Sequence, residues 1–449
     1  MRSGELPGEY EFRCVPRLGV VTMKPAFSLW LPRMRRLLAG AVLLASPLCA
    51  WSQEVIATVA VGYPPRGIAI NTVTDKIYVA ASGKVTIIDG VTNSTTSVSL
   101  GGPSESVAVN ESTNRIYATN GAGTVVIDGA TNSTTTVIDP NASISAVVAV
   151  NAVTNKIYVG YLGVDVITVI DGRTNATTSI PITPGLFCQA LAVNPVTNKI
   201  YALLTQPLHP LPYGNVTVID GASNATTVLT YNPPPVGLIP VTPVDFAINT
   251  STDVIYALDA ASLAAIDGAT NAVSPIAALP QPLTMDPGDR VGGGYALAVN
   301  SRTNQLYVPD LQDNNIAIID GATNSVTTVS DPSVQGPNAV AVNETTNTIY
   351  VANVSGTRSG SNITVLDGST HALNTIVDPN GHTPFEVAVN PVTNRIYAVN
   401  YDDGTVTVID GNVAPLAVSS GGGGFDALTL GVILGFLLRR ELAQRSLRA

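Results

Sequence analysis

The residues with the widest chemical reach are few. Three histidines, His209, His371 and His382, do not fall at a metal-ligand spacing. Asp286 and Asp289 stand near each other and near Arg290, but acid–base work by two carboxyls requires folding to bring them together. There is no Gly-x-Ser-x-Gly elbow and no Gly-x-x-x-x-Gly-Lys phosphate loop. Both tryptophans, Trp30 and Trp51, precede the body of the chain, which weakens any stacked-quinone chemistry. Of the cysteines, Cys14 and Cys49 would be lost on export, so Cys188 stands alone and reads as a small buried hydrophobe rather than a nucleophile. Two polar residue types recur eight times each, an asparagine and an aspartate, and such a set suggests a ring of metal ligands. The stronger reading is structural: each sits in a turn that needs a side-chain acceptor, and none matches the Asp-x-Asp-x-Asp-Gly spacing of a calcium loop. No cofactor is expected.

These residues belong to a repeat. The unit reads V-A-V-N-x-x-T-N-x-I-Y-V, then V-T-V-I-D-G-A-T-N, then T-T-T-V. Its first asparagine is Asn71, Asn110, Asn151, Asn194, Asn249, Asn300, Asn343 and Asn390. Seven residues later comes a tyrosine: Tyr78, Tyr117, Tyr158, Tyr201, Tyr256, Tyr307, Tyr350 and Tyr397. Each unit also carries an aspartate followed by glycine: Asp89, Asp128, Asp171, Asp220, Asp267, Asp320, Asp367 and Asp410. Successive first asparagines are 39 to 55 residues apart.

Each unit supplies four short strands. In the second unit Val107–Val109 is strand a, Ile116–Ala118 strand b, Val125–Ile127 strand c and the polar Thr134–Val137 strand d. Asn, Asp and Gly between them tolerate left-handed backbone and cap their own main chain. Four antiparallel strands per period of this length make a propeller blade. The sequence therefore predicts an all-β fold, a single β-propeller of about eight four-stranded blades, with seven as the alternative. Residues 55–61 look like a strand d without a blade, and 406–411 like a strand c without a clear strand d. The N-terminal strand is expected to complete the last blade and leave no open edge. The run Ile-Tyr-Val-Ala-Asn over 349–353, with its cousins, resembles the YVTN-type β-propeller repeats of bacterial and archaeal surface proteins, over roughly 54–411. The resemblance implies fold strongly and function weakly.

If strand a runs from top to bottom, the a–b and c–d turns share the bottom, and these are the uniform pieces. The b–c and d–a loops share the top and vary in length, so the top is the expected working face. The candidate binding residues there are Tyr161, His209, Tyr213, Asp289, Arg290, Tyr295, Arg358 and Tyr401, with Tyr161, Tyr295 and Tyr401 offering flat apolar faces for a sugar or a side chain.

Both ends read as addresses. Met34-Arg35-Arg36 followed by an apolar run to Leu48 predicts a signal peptide over 34–52, and 1–33 read as an overlong start. The body is 53–416 and a Gly/Ser linker 417–424. Residues 425–449 read as a short hydrophobic helix with an arginine tail, a sorting or anchor signal: with the glycine linker they resemble the GlyGly-type C-terminal sorting signals of Gram-negative bacteria, and a simple tail anchor is the alternative. Ala427 to Leu438 would span only about 18 Å as a helix, against a hydrocarbon core of ~30 Å. Signal peptidase and a sorting protease are the implied processing partners, with the membrane touched only through the tail.

Between Glu54 and Leu416 there are 11 Lys and Arg against 27 Asp and Glu, a net charge of −16. That excludes a phosphate backbone as an easy partner, so no nucleic acid is expected. The leading expectation is an exported envelope module, periplasmic, surface-bound or secreted, binding a protein or glycan through its top loops. A propeller enzyme of the lactonase or lyase kind, centred on the channel mouth, is the second reading. A structural surface-layer component is the third.

Overall fold

Each repeat folds into a four-stranded antiparallel sheet, because its apolar runs are too short for helices and Asn, Asp and Gly stop them at fixed intervals. The computed structural model describes residues 52–143, 146–205, 214–229, 243–259, 262–278, 297–311, 313–354 and 362–414. One compact unit spans Gln53–Asn412. The segments expected to be a signal peptide, before Ser52, and a linker and sorting tail, after Ala414, lie outside the described residues.

The first seven blades are β2–β5 (65–99), β6–β9 (107–138), β10–β13 (146–181), β14–β17 (187–229), β18–β21 (243–278), β22–β25 (298–329) and β26–β29 (337–376). The eighth is β30 (Pro384–Asn390), β31 (Arg395–Asn400), β32 (Thr405–Ala414) and β1 (Ser52–Ala60), in the order β1-β32-β31-β30. The N-terminal strand thus completes the last blade, as the sequence predicts. The first strands of neighbouring blades touch in series, and β2 (Pro65–Asn71) touches β30, so the eight blades form a closed ring.

The core is not central. It is divided into eight apolar clusters, one between each pair of neighbouring blades. Tyr78, Val85 and Ile87 of blade one pack with Ile116, Val125 and Ile127 of blade two. Val399, Val406 and Val408 of blade eight pack with Ile77, Val79 and Ile88 of blade one. This placement explains the burial pattern. Strands b and c are apolar on both faces because both faces meet a neighbour, whereas strand d shows three exposed residues before one buried one. The eight repeat tyrosines are at most 1 % exposed.

The bottom face is a lattice of side-chain bonds. Asn71 ends strand a, and its Oδ1 accepts from the N–H groups of Val73 and Thr74, capping the a–b turn. Its Nδ2 donates to Oδ1 of Asn114 in blade two at 2.9 Å. The same bond recurs from Asn110 to Asn155, Asn151 to Asn198, Asn194 to Asp253, Asn249 to Asn304, Asn300 to Asn347 and Asn343 to Asn394. Asn390 returns to Asp75 of blade one. All eight donors are fully buried. Each acceptor has a φ between 50° and 56°, the left-handed region that Asn and Asp tolerate best. Its carbonyl takes the N–H of the glycine in the neighbouring Asp-Gly, for example Gly90 on Asp75 at 2.8 Å. A Cβ on Gly129 would lie 2.3 Å from Asn114 Oδ1, which is why glycine stands there.

The repeat aspartates cap the c–d turns. Asp128 Oδ1 accepts from the N–H groups of Ala130 and Thr131 and from the Thr131 hydroxyl. Those bonds, that of the Thr131 N–H foremost, hold its carboxyl below the usual range. Lys76, Arg115, Lys156 and Lys199 each reach the carbonyl of an Asp-Gly glycine in the next blade. The strand-ending asparagines and the cations that open strand b thus bond from blade to blade.

Candidate functional site

The top face is built differently. Strand a enters from the top, and in five blades it carries a β-bulge at its start. In β2 the pairing skips from Pro65 to Gly67, leaving Arg66 out of the ladder. In β30 it skips from Pro384 to Glu386, leaving out Phe385. Gln189, Val244 and Asn338 are the skipped residues of β14 (Phe187–Asn194), β18 (Pro243–Asn249) and β26 (Pro337–Asn343). A bulge bends the strand and re-aims one side chain. Asn338 uses this to bond the carbonyl of Phe385 in blade eight at 2.9 Å.

The two neighbouring bulge residues Arg66 and Phe385 converge on Tyr401, in the b–c loop of blade eight. The Phe385 and Tyr401 ring centroids are 5.6 Å apart. The Arg66 Cζ lies 5.7 Å from the Tyr401 centroid, within cation–π range. Tyr63, in the loop between β1 and β2, meets Tyr401 edge-on at 5.7 Å and is 60 % exposed. Lys84, which opens β4 (Lys84–Asp89), lies over the same loop, its Nζ 3.0 Å from where a Cβ on Gly62 would sit. The cluster spans the junction where the chain closes on itself.

The loops beneath it are tied down. Val61 and Gly62 donate to the carbonyl of Gly404, and Tyr401 donates to that of Thr383. Asp378 Oδ2 accepts from Thr58 at 2.7 Å and from Thr407 at 2.6 Å, tying the loop that enters blade eight to two of its strands, β1 and β32. Asp403 Oδ2 accepts the His382 N–H at 2.7 Å and sits 2.6 Å from His382 Nδ1, with the imidazole 31 % exposed. Asp402 accepts from the Thr383 hydroxyl.

One carboxyl lies directly below the cluster. Glu386 is half-buried, and its Oε2 is shielded from water without a hydrogen-bond partner. Burial pushes it up to about 8 against the opposing pull of the Ile68 N–H that it accepts. Asp245 holds the equivalent place in blade five, accepts the Leu297 N–H at 2.8 Å, and is pushed up by burial to about 7.

Of the residues expected to bind, the structure brings Tyr401 into this cluster. Tyr161 is a correction: it is 1 % exposed, its hydroxyl donates to Asp139 at 2.8 Å, and it offers no face to a ligand. It is the last residue of β11 (Lys156–Tyr161), and inter-blade packing claims it before the loop begins. His209, Tyr213, Asp289, Arg290, Tyr295 and Arg358 lie outside the described residues. His371 occupies a left-handed position in a bottom turn (φ 59°) and His382 a top loop, so these two do not meet. Cys188 is buried, with its thiol pushed well up by burial. Among the described residues no group of three or more His, Cys, Asp or Glu is placed to hold a metal ion.

Tyr63, Arg66, Lys84 and Phe385 were not anticipated. A proline signals two of them, Arg66 and Phe385: Pro65, Pro243, Pro337 and Pro384 each stand six residues before the strand-ending asparagine, and the next residue is the bulge. The chain is an eight-bladed β-propeller repeat protein. No protein-family model matches it, and no curated protein matches it.

Proposed function

We propose that this propeller is a binding module of the cell envelope, of the YVTN repeat kind, and that its ligand docks on the top face at the junction of blades one and eight. The supporting observation is the contrast between the two faces. Below, the repeat's polar side chains close on each other from blade to blade. Above, an exposed tyrosine, a second tyrosine, a phenylalanine and an arginine stand together on loops held firmly from beneath. Rings grouped on a rigid mouth are what recognition of a flat ligand requires. The leader over 34–52 carries the chain out of the cytoplasm, and the tail over 425–449 presents it for sorting, in keeping with the sequence of each.

An array of glycans and envelope proteins, probed with the wild-type protein, Tyr63→Ala and the bottom-turn variant Arg302→Ala, tests this reading. Retention should fall with Tyr63→Ala and stand with Arg302→Ala. Loss confined to the bottom variant would overturn it.

A second reading, an enzyme at the same mouth, draws on one observation: Asp403 orients the His382 imidazole as a general base would need. Turnover of a bound ligand that His382→Asn abolishes without loss of binding would favour it.

A further inference from the structure

The cations of this acidic body divide unequally between its faces. Nine of the Lys and Arg residues of the body are described, and seven sit at the bottom: Lys76, Arg115, Lys156, Lys199 and Arg395 open strand b, while Arg173 and Arg302 lie in turns. Arg66 and Lys84 are the two at the top, and they flank the same short loop, 61–64. Five bottom cations are bonded to carbonyls of the next blade. Among the described residues, neither Arg66 nor Lys84 makes a hydrogen bond or an ion pair; Arg66 rests only against the Tyr401 ring. Three carboxylates of the adjoining loops have partners of their own: Asp403 the His382 imidazole and N–H, Asp402 the Thr383 hydroxyl, Glu386 the Ile68 N–H; Glu105, whose backbone runs beside Gly67, forms no ion pair with either cation.

A body of net charge −16 between Glu54 and Leu416 that leaves these two cations unpaired holds them for an anion from outside. Their surroundings narrow its nature. Tyr63 protrudes at 60 % exposure, so it presents a flat face rather than a hole, which suits a sugar ring stacked on it better than a side chain that must be engulfed. The exposed Asp402 can accept from a hydroxyl and repels a second negative charge. We propose that Arg66, Lys84, Tyr63 and Tyr401 form a site for a carboxylate-bearing sugar residue, its ring on the tyrosines and its carboxylate on the two cations. This rests on the top face being the working face, and it names the ligand class that face takes.

The test is calorimetric titration of the full folded protein with trigalacturonate and with its neutral counterpart maltotriose, at low and at physiological salt. Trigalacturonate should bind at least about tenfold more tightly, and added salt should weaken it. Arg66→Ala and Lys84→Ala should each weaken the acidic ligand by about tenfold and lower the melting temperature only slightly, because neither side chain makes a hydrogen bond or an ion pair within the protein. Tyr63→Ala should weaken both sugars. Equal affinity for the neutral sugar, no binding of the acidic one, or acidic binding indifferent to the Arg66→Ala, Lys84→Ala pair would overturn the proposal. Capture of a neutral glycan or of a peptide that Tyr63→Ala abolishes and the cation variants spare would overturn it too, while leaving the top face as the working face. Binding that follows bottom-turn variants would overturn both.

Discussion

Asn390 donates its Nδ2 to Oδ1 of Asp75 at 2.8 Å across 315 residues of chain, and this bond closes a ring of eight. It is the same bond that Asn71 makes to Asn114 over 43 residues, with a carboxylate in place of an amide as acceptor. The last blade is thus joined to the first by the device that joins all the others, reinforced by a charged acceptor.

Removing that amide leaves two turn N–H groups and the Asp75 carboxylate without their partner. Asn390→Ala should therefore destabilise the propeller by about 2 kcal/mol. Asp75→Asn keeps the geometry and should cost about 1 kcal/mol or less. Urea unfolding of the three proteins checks both. A small effect of Asn390→Ala would mean that the ring is decorative.

Glu386 gives stability a pH slope of known sign. Its carboxyl titrates at about 8 when folded and at about 4.5 otherwise, so the folded state holds the proton more tightly. Below pH 4.5 both states carry it and its contribution is fully present. Between about 4.5 and 8 the unfolded state has lost the proton and the folded state has not, so stability falls by roughly 1.4 kcal/mol per pH unit, levelling off above 8. Glu386→Gln, which keeps an oxygen for the Ile68 N–H, should flatten that part of the curve. Unfolding free energies measured from pH 5 to pH 9 that fall as steeply in the variant as in the wild type would contradict this.

The repeat tyrosines make a sharper distinction. The Tyr158 hydroxyl is buried without a partner, whereas that of Tyr350 accepts from Gln53 of the N-terminal strand at 2.9 Å. Tyr158→Phe should be neutral or stabilising by up to about 1 kcal/mol, and Tyr350→Phe destabilising by about 1 kcal/mol. Thermal melts decide, and equal effects would mean that the Gln53 contact contributes nothing.

The blades were legible in the sequence because every one repeats the same spacing from asparagine to tyrosine and the same Asp-Gly turn. Closure by residues 55–61 was legible because a strand d stood without a blade. The convergence of Arg66 and Tyr63 with Phe385 on Tyr401 was not, since Tyr63 and Arg66 stand more than 300 positions before Tyr401 and meet it only when the ring closes. The direction of Arg66 and Phe385 depends on a bulge, which shifts one residue out of the alternation that strand reading relies on. Tyr161 misled for a related reason: at a strand end, a residue's place in the inter-blade packing decides its exposure, and that place follows from register rather than from residue type.

The most direct measurement pairs one variant from each face. Arg66→Ala and Asn390→Ala should be compared in melting temperature and in affinity for trigalacturonate, below the melting point of each. Arg66→Ala should lose about tenfold in affinity and nearly keep its melting temperature, while Asn390→Ala should melt earlier and, while folded, bind as the wild type does. The reverse pattern would contradict the division of this propeller into a binding top and a supporting bottom.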